Sequence, residues 1–495
     1  MLNKVKDSIK HSAIYSFGNI STKLIGIILL PLYTKYITVA EYGIIGVIEV
    51  TIMILTQTMI LGQPQSFLRF YNITKYKHKR KTTLFTLFIL LFSTGLIFCI
   101  IGQYFTKNIA SFFNNSSDFE IYIRLSFVII YLRILNEFFL SVLRAKEKSL
   151  FFASANIFKL GLILGFNIYF IAFLRIGIRG ILYSYLIGDI VLLLLLSPGL
   201  IFEMSAKFDS KILKLTIKFG FPLIFTSLAG MLLNMGDRYI LKLLVDYKEV
   251  GLYNLGYKVA GILNVFFIQS FTLGFLPLAY KNFQQKDDKR YYSKMLTYFM
   301  FVLCWAGLGL SLFSQEAIKL LALNSEYWPA HTVVPILTLS YVFSGGKSVT
   351  SLGLYLTGKT QVIAYSTIVV TLLNIGLNFL LIPKYGMMGA AIATLIAFII
   401  LYIISQIMSN RFYKIPFENH KILVLLITTI TLFFIPSLFQ DLQLLFNLII
   451  KFLILVSFPF ILYFFKFYEP IELLRIRQSW KKWRNPKNWK KTFSL

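Results

Sequence analysis

Acidic and metal-binding residues are scarce in this chain of 495 residues. Aspartate and glutamate together number 21, against 50 lysines and arginines, and there are only 4 histidines and 2 cysteines. Charged residues make up 14% of the chain, whereas soluble domains average about 25%. Cys99 and Cys304 lie in apolar runs, form no zinc-binding pattern and give no support to a disulfide. These shortages argue against a soluble domain, a metal site and a disulfide framework.

Long apolar runs, in contrast, recur along the whole chain. Hydrophobic residues make up 57% of the sequence, and the mean hydropathy is +0.71. A run of about 20 apolar residues is long enough to cross a bilayer as a helix. Such runs lie near 12–33, 42–63, 84–104, 119–142, 151–173, 178–199, 219–241, 250–278, 295–314, 332–356, 362–382, 386–408, 421–439 and 444–465. We therefore predict an all-α polytopic membrane protein of about 14 transmembrane helices, without the short alternating strands of a β-barrel.

Basic residues outside these runs concentrate in every second loop. The loop between the second and third runs alone carries Arg69, Lys75, Lys77, Lys79, Arg80 and Lys81. The positive-inside rule assigns such loops to the cytoplasm, so we expect both termini there. The net charge of +29 is thereby explained without a nucleic-acid partner. The basic tail after residue 466 is expected to contact anionic membrane lipids or simply to anchor the chain.

Two short patterns recur at nearly one offset. Gly43 and Gly251, each following Glu-x, are 208 positions apart, and Gly177 and Gly386 are 209 apart. Internal repeats of several helices are common in transporters. We therefore predict two pseudo-symmetric six-helix lobes, two extra transmembrane helices and a cytoplasmic tail, with boundaries at 1–205, 206–410, 411–465 and 466–495.

Cations outnumber acids inside the predicted spans, with eight basic residues against Glu49, Glu137, Asp189 and Asp237. A charge at the centre of a membrane helix costs at least about 2.5–3.5 kcal/mol, so it normally faces an interior or a wet cavity. The surplus predicts a central cationic cavity between the lobes. By depth and by the polar stripes on their helices, the cations that line it are predicted to be Lys23, Lys258, Lys347, Arg133 and Lys159.

The remaining intramembrane charges have other predicted roles. Asp237 and Arg238 are expected to form a gating or structural pair, and Glu49 and Asp189 are candidate sites for proton or cation coupling. An alternative for Arg133 is an ion pair with Glu137, four residues on.

The chemistry of the predicted cavity points to transport of an anion. A cationic cavity suits a substrate that carries phosphate or pyrophosphate. The sequence has no nucleotide-binding loop, no metalloprotease motif and no large outer loop. We therefore expect a transporter rather than an enzyme, without cofactor or metal.

Five short motifs, taken in chain order, carry a family resemblance. They are Glu41-Tyr42-Gly43, Gly236-Asp237-Arg238-Tyr239-Ile240, Glu249-Val250-Gly251-Leu252-Tyr253, Gly358-Lys359 and the run from Tyr385 to Ala393. Over about residues 5–465 the chain resembles the polysaccharide flippases, the Wzx or polysaccharide-transporter branch of the multidrug/oligosaccharidyl-lipid/polysaccharide (MOP) superfamily.

The resemblance implies two six-helix bundles around a central cavity that opens alternately to the two sides of the bacterial inner membrane. It implies a flippase that moves an undecaprenyl-pyrophosphate-linked oligosaccharide repeat unit to the outer leaflet, for O-antigen of lipopolysaccharide, capsule or exopolysaccharide. Lys23 and Lys258 match the pyrophosphate-binding cations that the resemblance implies. The implied partners are this lipid-linked substrate, membrane lipids, and a polysaccharide polymerase with its chain-length machinery.

Three alternatives stay open at this point. A lipid II flippase differs from the favoured function only in its substrate. A drug/cation antiporter of the same superfamily usually has 12 helices and relies on intramembrane carboxylates, whereas this chain has about 14 predicted helices and surplus cations. A membrane polysaccharide polymerase would need a long outer loop or clustered acids, which the sequence lacks.

Overall fold

The computed structural model describes residues 26–73, 78–113, 117–436 and 443–474, and every regular element in these ranges is helical. The first ten helices are α1 (Leu30–Tyr36), α2 (Val39–Met59), α3 (Gln63–Asn72), α4 (Arg80–Tyr104), α5 (Thr106–Phe113), α6 (Ser117–Ala145), α7 (Ser149–Asn167), α8 (Gly177–Ile201), α9 (Ser210–Met235) and α10 (Asp237–Leu244). The rest are α11 (Tyr247–Leu263), α12 (Ser270–Asn282), α13 (Asp288–Leu312), α14 (Ser314–Leu321), α15 (Val334–Thr350), α16 (Leu352–Leu356), α17 (Thr360–Phe412), α18 (Asn419–Phe434) and α19 (Leu444–Phe464).

Two π-helical segments and one 3-10 segment of six to eight residues accompany these helices. A π-helical segment, Ile168–Phe173, extends α7, and another, Asn264–Gln269, joins α11 to α12. A 3-10 segment covers Ser325–Thr332. The predicted spans at 151–173 and 250–278 therefore each run through a local change of helix type.

In the described part of the chain, ten helical stretches are long and apolar enough to cross a membrane. This confirms a multi-pass, all-helical membrane protein. The exact number of 14 spans stays a prediction for three reasons. The 53-residue α17 covers two predicted spans, α15 and α18 are shorter than the other candidates, and residues 12–25 of the first span lie outside the described residues.

The start of several helices follows from side-chain capping. Thr38 and Glu41 form a capping box at α2, in which the Thr38 hydroxyl accepts from the Glu41 N–H at 3.3 Å and the Glu41 carboxylate accepts from the Thr38 N–H at 2.9 Å. Asp246 caps α11 by accepting from the Glu249 N–H at 2.8 Å. Asp209 caps α9 in the same way. Each cap satisfies backbone donors that the first helical turn leaves without a partner.

The chain forms two compact units. The first comprises Met1–Gln284 and Ser314–Lys414, and the second comprises Gln285–Phe313 and Ile415–Leu495. Among the described helices, α13, α18 and α19 fall in the second unit, and all the others fall in the first. The four-part division drawn from the sequence stays a prediction.

In the first unit, α2 and α11 cross where the recurring glycines lie. A Cβ atom on Gly43 would overlap the carbonyl oxygen of Tyr247, and one on Gly251 would overlap the carbonyl oxygen of Val39. Glycine is required at both positions because only a residue without a side chain allows such a close approach of two backbones. The repeated pattern therefore marks one reciprocal contact between the two predicted repeats.

The second recurring pair shares an unusual backbone conformation. Gly177 has φ +57° and Gly386 has φ +53°, a region that favours glycine. Glu249 accepts a hydrogen bond from the Met387 N–H at 2.7 Å, beside Gly386, where α17 bends. A Cβ on Gly177 would lie 3.6 Å from the Glu41 carboxylate. In each predicted repeat, the glutamate of one recurring motif therefore lies beside the glycine of the other.

A cluster of charges ties together elements of the second unit. Lys294 of α13 contacts Glu418 at 2.8 Å, Glu469, and Glu472 at 3.9 Å. Lys421 also contacts Glu418, at 3.2 Å. We call these five residues the second-unit charge cluster. It links α13, the start of α18 and the segment that follows α19.

Candidate functional site

Three of the five predicted cavity cations meet two acids in the first unit. The cations are Arg133 of α6, Lys159 of α7 and Lys258 of α11, and the acids are Glu49 of α2 and Asp189 of α8. We call these five residues the central charge cluster. All of them lie in helical stretches that are long and apolar enough to cross a membrane.

One half of the central charge cluster surrounds Asp189, whose side chain is fully buried. Its carboxylate accepts from Lys159 Nζ at 2.5 Å and from Arg133 Nε at 3.1 Å. Asn136 donates to the same carboxylate at 3.3 Å and to the Asp189 carbonyl oxygen at 2.9 Å. Arg133 therefore pairs with Asp189 rather than with Glu137, whose side chain is exposed. One buried acid holds two cations.

The other half surrounds Glu49, which is partly exposed. One carboxylate oxygen accepts from the Tyr185 hydroxyl at 2.6 Å, and the other lies 3.7 Å from Lys258 Nζ. Lys258 Nζ also lies 5.1 Å from the centre of the Tyr42 ring, within the range of a cation–π contact. Lys258 is therefore held by one long ion pair and one aromatic face.

Tyr185 joins the two halves. Its hydroxyl donates to Glu49, and its ring centre lies 5.3 Å from the guanidinium carbon of Arg133. Tyr185 and Asn136 are members of the site that sequence reasoning did not identify. In a sequence, a tyrosine in an apolar run cannot be told from a hydrophobic core residue, and an asparagine cannot be told from one that makes an ordinary contact between helices.

The charge balance of the cluster leaves one positive charge in excess. Arg133 has five N–H donors, and contacts with the described residues occupy only Nε. The side chains of Arg133, Lys159 and Lys258 are 23%, 19% and 20% exposed. The cluster therefore keeps donors and net positive charge accessible for an anion.

The other two predicted cavity cations are not part of this cluster. Lys347 on α15 is half-buried, and it forms no ion pair with any residue in the described ranges. Lys23 lies outside the described residues, so its role stays a prediction. Lys347 is therefore a separate positive charge, set within a helix that the sequence predicts to cross the membrane.

The predicted pair of Asp237 and Arg238 does form, and both side chains are almost fully buried. Arg238 contacts the Asp237 carboxylate at 3.2 Å and donates to Asn254 at 3.3 Å. Tyr253 donates to Asp237, and the Tyr257 ring centre lies 4.5 Å from the guanidinium carbon. These contacts neutralise both charges and fit a structural pair. A gating role stays a prediction.

Comparison with known proteins supports the family first suggested by the motifs. A model of the family described as "Polysaccharide biosynthesis protein" matches residues 8–283, more than half of the chain. A second model, MatE, matches residues 222–380. The two matches overlap and together cover most of the described part of the first unit.

Two curated relatives match part of the chain. The probable low-salt glycan biosynthesis flippase Agl15 of Haloferax volcanii is 25% identical over 201 residues, which are 40% of this chain and 42% of the relative. The capsular polysaccharide biosynthesis protein CapF of Staphylococcus aureus is 28% identical over 181 residues, 36% of this chain and 45% of the relative. The chain thus spans less than half of the length of these curated relatives.

A solved structure of the lipid II flippase MurJ, in an inward closed conformation, resembles the fold over nearly the whole chain. The TM-score is 0.74, and the match covers 91% of this chain and 99% of that structure at 18% identity. At this identity the likeness shows the fold alone. Because a family model covers more than half of the chain, the protein belongs to the polysaccharide biosynthesis family, a multi-pass membrane branch of the MOP superfamily.

Proposed function

We propose that the protein is a flippase that moves an undecaprenyl-pyrophosphate-linked oligosaccharide repeat unit from the cytoplasmic to the outer leaflet of the bacterial inner membrane. The observation that carries the proposal is the central charge cluster, where three cations and two acids lie among membrane-crossing helices. Pyrophosphate carries the charge and the acceptor oxygens that lysine and arginine bind most strongly. The product would feed synthesis of O-antigen, capsule or exopolysaccharide.

The residues of the cluster would share the work of holding the pyrophosphate. Lys258 approaches from α11, in the second predicted repeat, and Arg133 and Lys159 approach from the first repeat. An anion between them would therefore contact both repeats and be carried as the repeats rearrange between inward-open and outward-open states. Lys23 and Lys347 are proposed as further cations along the path, and Glu49 and Asp189 as acids that couple transport to an ion gradient.

The apolar part of the substrate needs no site inside the cluster. A polyprenyl chain is as hydrophobic as the lipid tails, so it stays in the bilayer while the polar head crosses. A polymerase and its chain-length machinery are proposed to receive the translocated unit. Both termini are proposed to lie in the cytoplasm, because the basic loops alternate.

A lipid II flippase is the second candidate, because it differs from the first only in its substrate, and the likeness to MurJ shows a shared fold alone. Its substrate also carries an undecaprenyl pyrophosphate, so the same cations would serve. A drug/cation antiporter is less well supported, because the central charge cluster carries an excess of cations rather than unpaired acids.

A deletion strain tests the proposal through the leaflet in which lipid-linked oligosaccharide accumulates. A membrane-impermeant glycosidase distinguishes the leaflets. We expect units trapped on the cytoplasmic leaflet, and their sugars would separate a repeat unit from lipid II. Units accumulating on the outer leaflet would instead indicate a defect in polymerisation. New sensitivity to cationic drugs without trapped lipid would indicate an antiporter.

The variant Lys258→Ala tests the site in the same assay. Loss of a charge-assisted contact costs about 1.5–3 kcal/mol, so we expect translocation to fall about tenfold or more. Lys248→Ala is the matched control, because Lys248 lies on the same helix with an exposed side chain. Equal activity of the two variants, at equal abundance in the membrane, would refute a role for Lys258 in binding.

A further inference from the structure

The two acids of the central charge cluster hold their cations very differently. Asp189 is fully buried and binds two cations at 2.5 and 3.1 Å, with an amide as a third partner. Glu49 is 24% exposed and lies 3.7 Å from its one cation, Lys258. Leaving a buried charge without its partner is costly, whereas separating a partly exposed, long ion pair costs little. The Asp189 group is therefore fixed, and the pair of Glu49 and Lys258 is exchangeable.

Both members of the exchangeable pair have a second contact to keep when they separate. The Glu49 carboxylate retains the hydrogen bond from the Tyr185 hydroxyl at 2.6 Å. Lys258 retains the face of the Tyr42 ring at 5.1 Å. Neither group is left buried and alone after separation, so the pair opens without the penalty that an isolated buried charge would incur.

We propose that Glu49 is an internal counter-ion, which occupies Lys258 in the empty protein and is displaced by the pyrophosphate of the substrate. This inference rests on the proposed function. A phosphate group offers several strong acceptor oxygens and more charge than one carboxylate, so it can replace Glu49 at Lys258. Tyr185 holds the displaced carboxylate nearby.

The proposed exchange gives Glu49 a role in release as well as in binding. Because Glu49 competes for Lys258, it weakens the hold on the anion and returns to Lys258 when the anion leaves. Asp189 has the opposite role of a positioning residue, since it orients Arg133 and Lys159 without competing at Lys258. Neutralising Glu49 should therefore tighten anion binding, whereas neutralising Asp189 should not.

The test measures binding of undecaprenyl pyrophosphate to the full-length protein in lipid nanodiscs. For Glu49→Gln we expect the Kd to fall about twofold to fivefold, the range that a weak ion pair supplies, and translocation to slow because release is impaired. Glu137→Gln is the matched control, because it removes an exposed carboxylate from α6. It should leave the Kd unchanged, and Asp189→Asn should leave it unchanged or raise it.

A double variant tests whether Glu49 acts on anion binding through Lys258. In a Lys258→Gln background, Glu49→Gln should no longer change the Kd, because Glu49 and the anion no longer compete for the same lysine. Tightening of the same size in that background would overturn the proposal, and so would equal tightening by Asp189→Asn, since both outcomes indicate a general charge effect. Should Glu49→Gln fold poorly, Glu49→Asp keeps the charge, draws it back from Lys258, and should give a smaller tightening.

Inorganic pyrophosphate separates failure of this inference from failure of the proposed function. If the wild-type protein binds no undecaprenyl pyrophosphate, yet Glu49→Gln tightens inorganic pyrophosphate through Lys258, the counter-ion role stands and the lipid-linked substrate is wrong. If the lipid binds and Glu49→Gln leaves its Kd unchanged, the substrate class stands and the counter-ion role is wrong.

Discussion

At the scale of single residues, burial decides how much each ion pair contributes to stability. Arg238 and Asp237 are 3% and 1% exposed and depend on each other for charge neutralisation. Arg124 and Glu120 form a pair at 2.7 Å, but Arg124 is 51% exposed. Breaking a buried pair leaves one charge without a partner. In an exposed pair, water or lipid headgroups replace the lost partner at little cost.

Replacing Arg238 by alanine should therefore lower the free energy of unfolding by about 3–5 kcal/mol. Arg124→Ala, the matched control, should change it by about 1 kcal/mol or less. Thermal unfolding in detergent, together with abundance in the membrane, checks both values. Equal melting temperatures for the two variants would show that the buried pair contributes no more than the exposed one.

Pairing between single residues on different helices is the feature that the sequence predicts least well. The sequence identified the cations of the central charge cluster, because charges in apolar runs stand out. It did not identify that Arg133 pairs with Asp189, since residues 56 positions apart on different helices have no local signal. Tyr185 was missed because its hydroxyl becomes informative only when Glu49 is placed beside it.

At the scale of helices, close backbone contact makes some glycines irreplaceable. Gly43 of α2 and Gly251 of α11 each face a carbonyl oxygen of the other helix. Gly165 of α7, by contrast, has no atom within 4 Å of the position where a Cβ would lie. The recurrence of Gly43 and Gly251 is visible in the sequence, but the reciprocal contact between their helices is visible only in the structure.

Gly43→Ala and Gly251→Ala should each destabilise the protein, by about 1–3 kcal/mol for overpacking, and should lower translocation. Gly165→Ala should be neutral or slightly stabilising, because alanine favours a helix over glycine. Melting temperature and activity in a complementation assay check the series. A Gly43→Ala protein as stable and active as Gly165→Ala would mean that the helices separate at this crossing without cost.

At the scale of the whole molecule, each compact unit contains its own charge cluster. In the second unit, hydrogen bonding from Lys294 holds the pKa of Glu469 below its usual value. Burial opposes ionisation of Glu418, but hydrogen bonds from Lys294 and Thr297 outweigh it, so the pKa of Glu418 is also lowered. Both carboxylates therefore stabilise the second unit only while they are ionised.

The lowered pKa values set the direction of a pH dependence. A carboxyl group with a lower pKa in the folded state stabilises above its unfolded pKa, about 4.3 for glutamate, and this contribution is lost as the pH falls through the folded value. We expect hydrogen exchange in residues 467–474 to accelerate as the pH falls from about 6 to about 3, after correction for intrinsic rates. Lys294→Ala should remove most of the change, and Lys286→Ala, a charge change at an exposed position just before the same helix, should preserve it. A pH-independent wild-type profile would contradict this assignment.

The class of multi-pass helical membrane protein was the easiest property to predict. Hydropathy and basic loops identify a polytopic membrane protein, because a bilayer constrains every crossing segment in the same way. The grouping of α13 with α18 and α19 in the second unit was not predicted, since it depends on contacts between segments more than 100 residues apart, such as Lys294 with Glu418.

The crossing of α2 and α11 also has an evolutionary consequence. Copies produced by duplication ordinarily diverge independently, because a change in one leaves the other intact. Here Gly43 fits against a carbonyl of the second predicted repeat and Gly251 against a carbonyl of the first. A larger residue at either position would collide with the backbone of the facing helix, so we expect both positions to stay small together even though they lie in different predicted repeats.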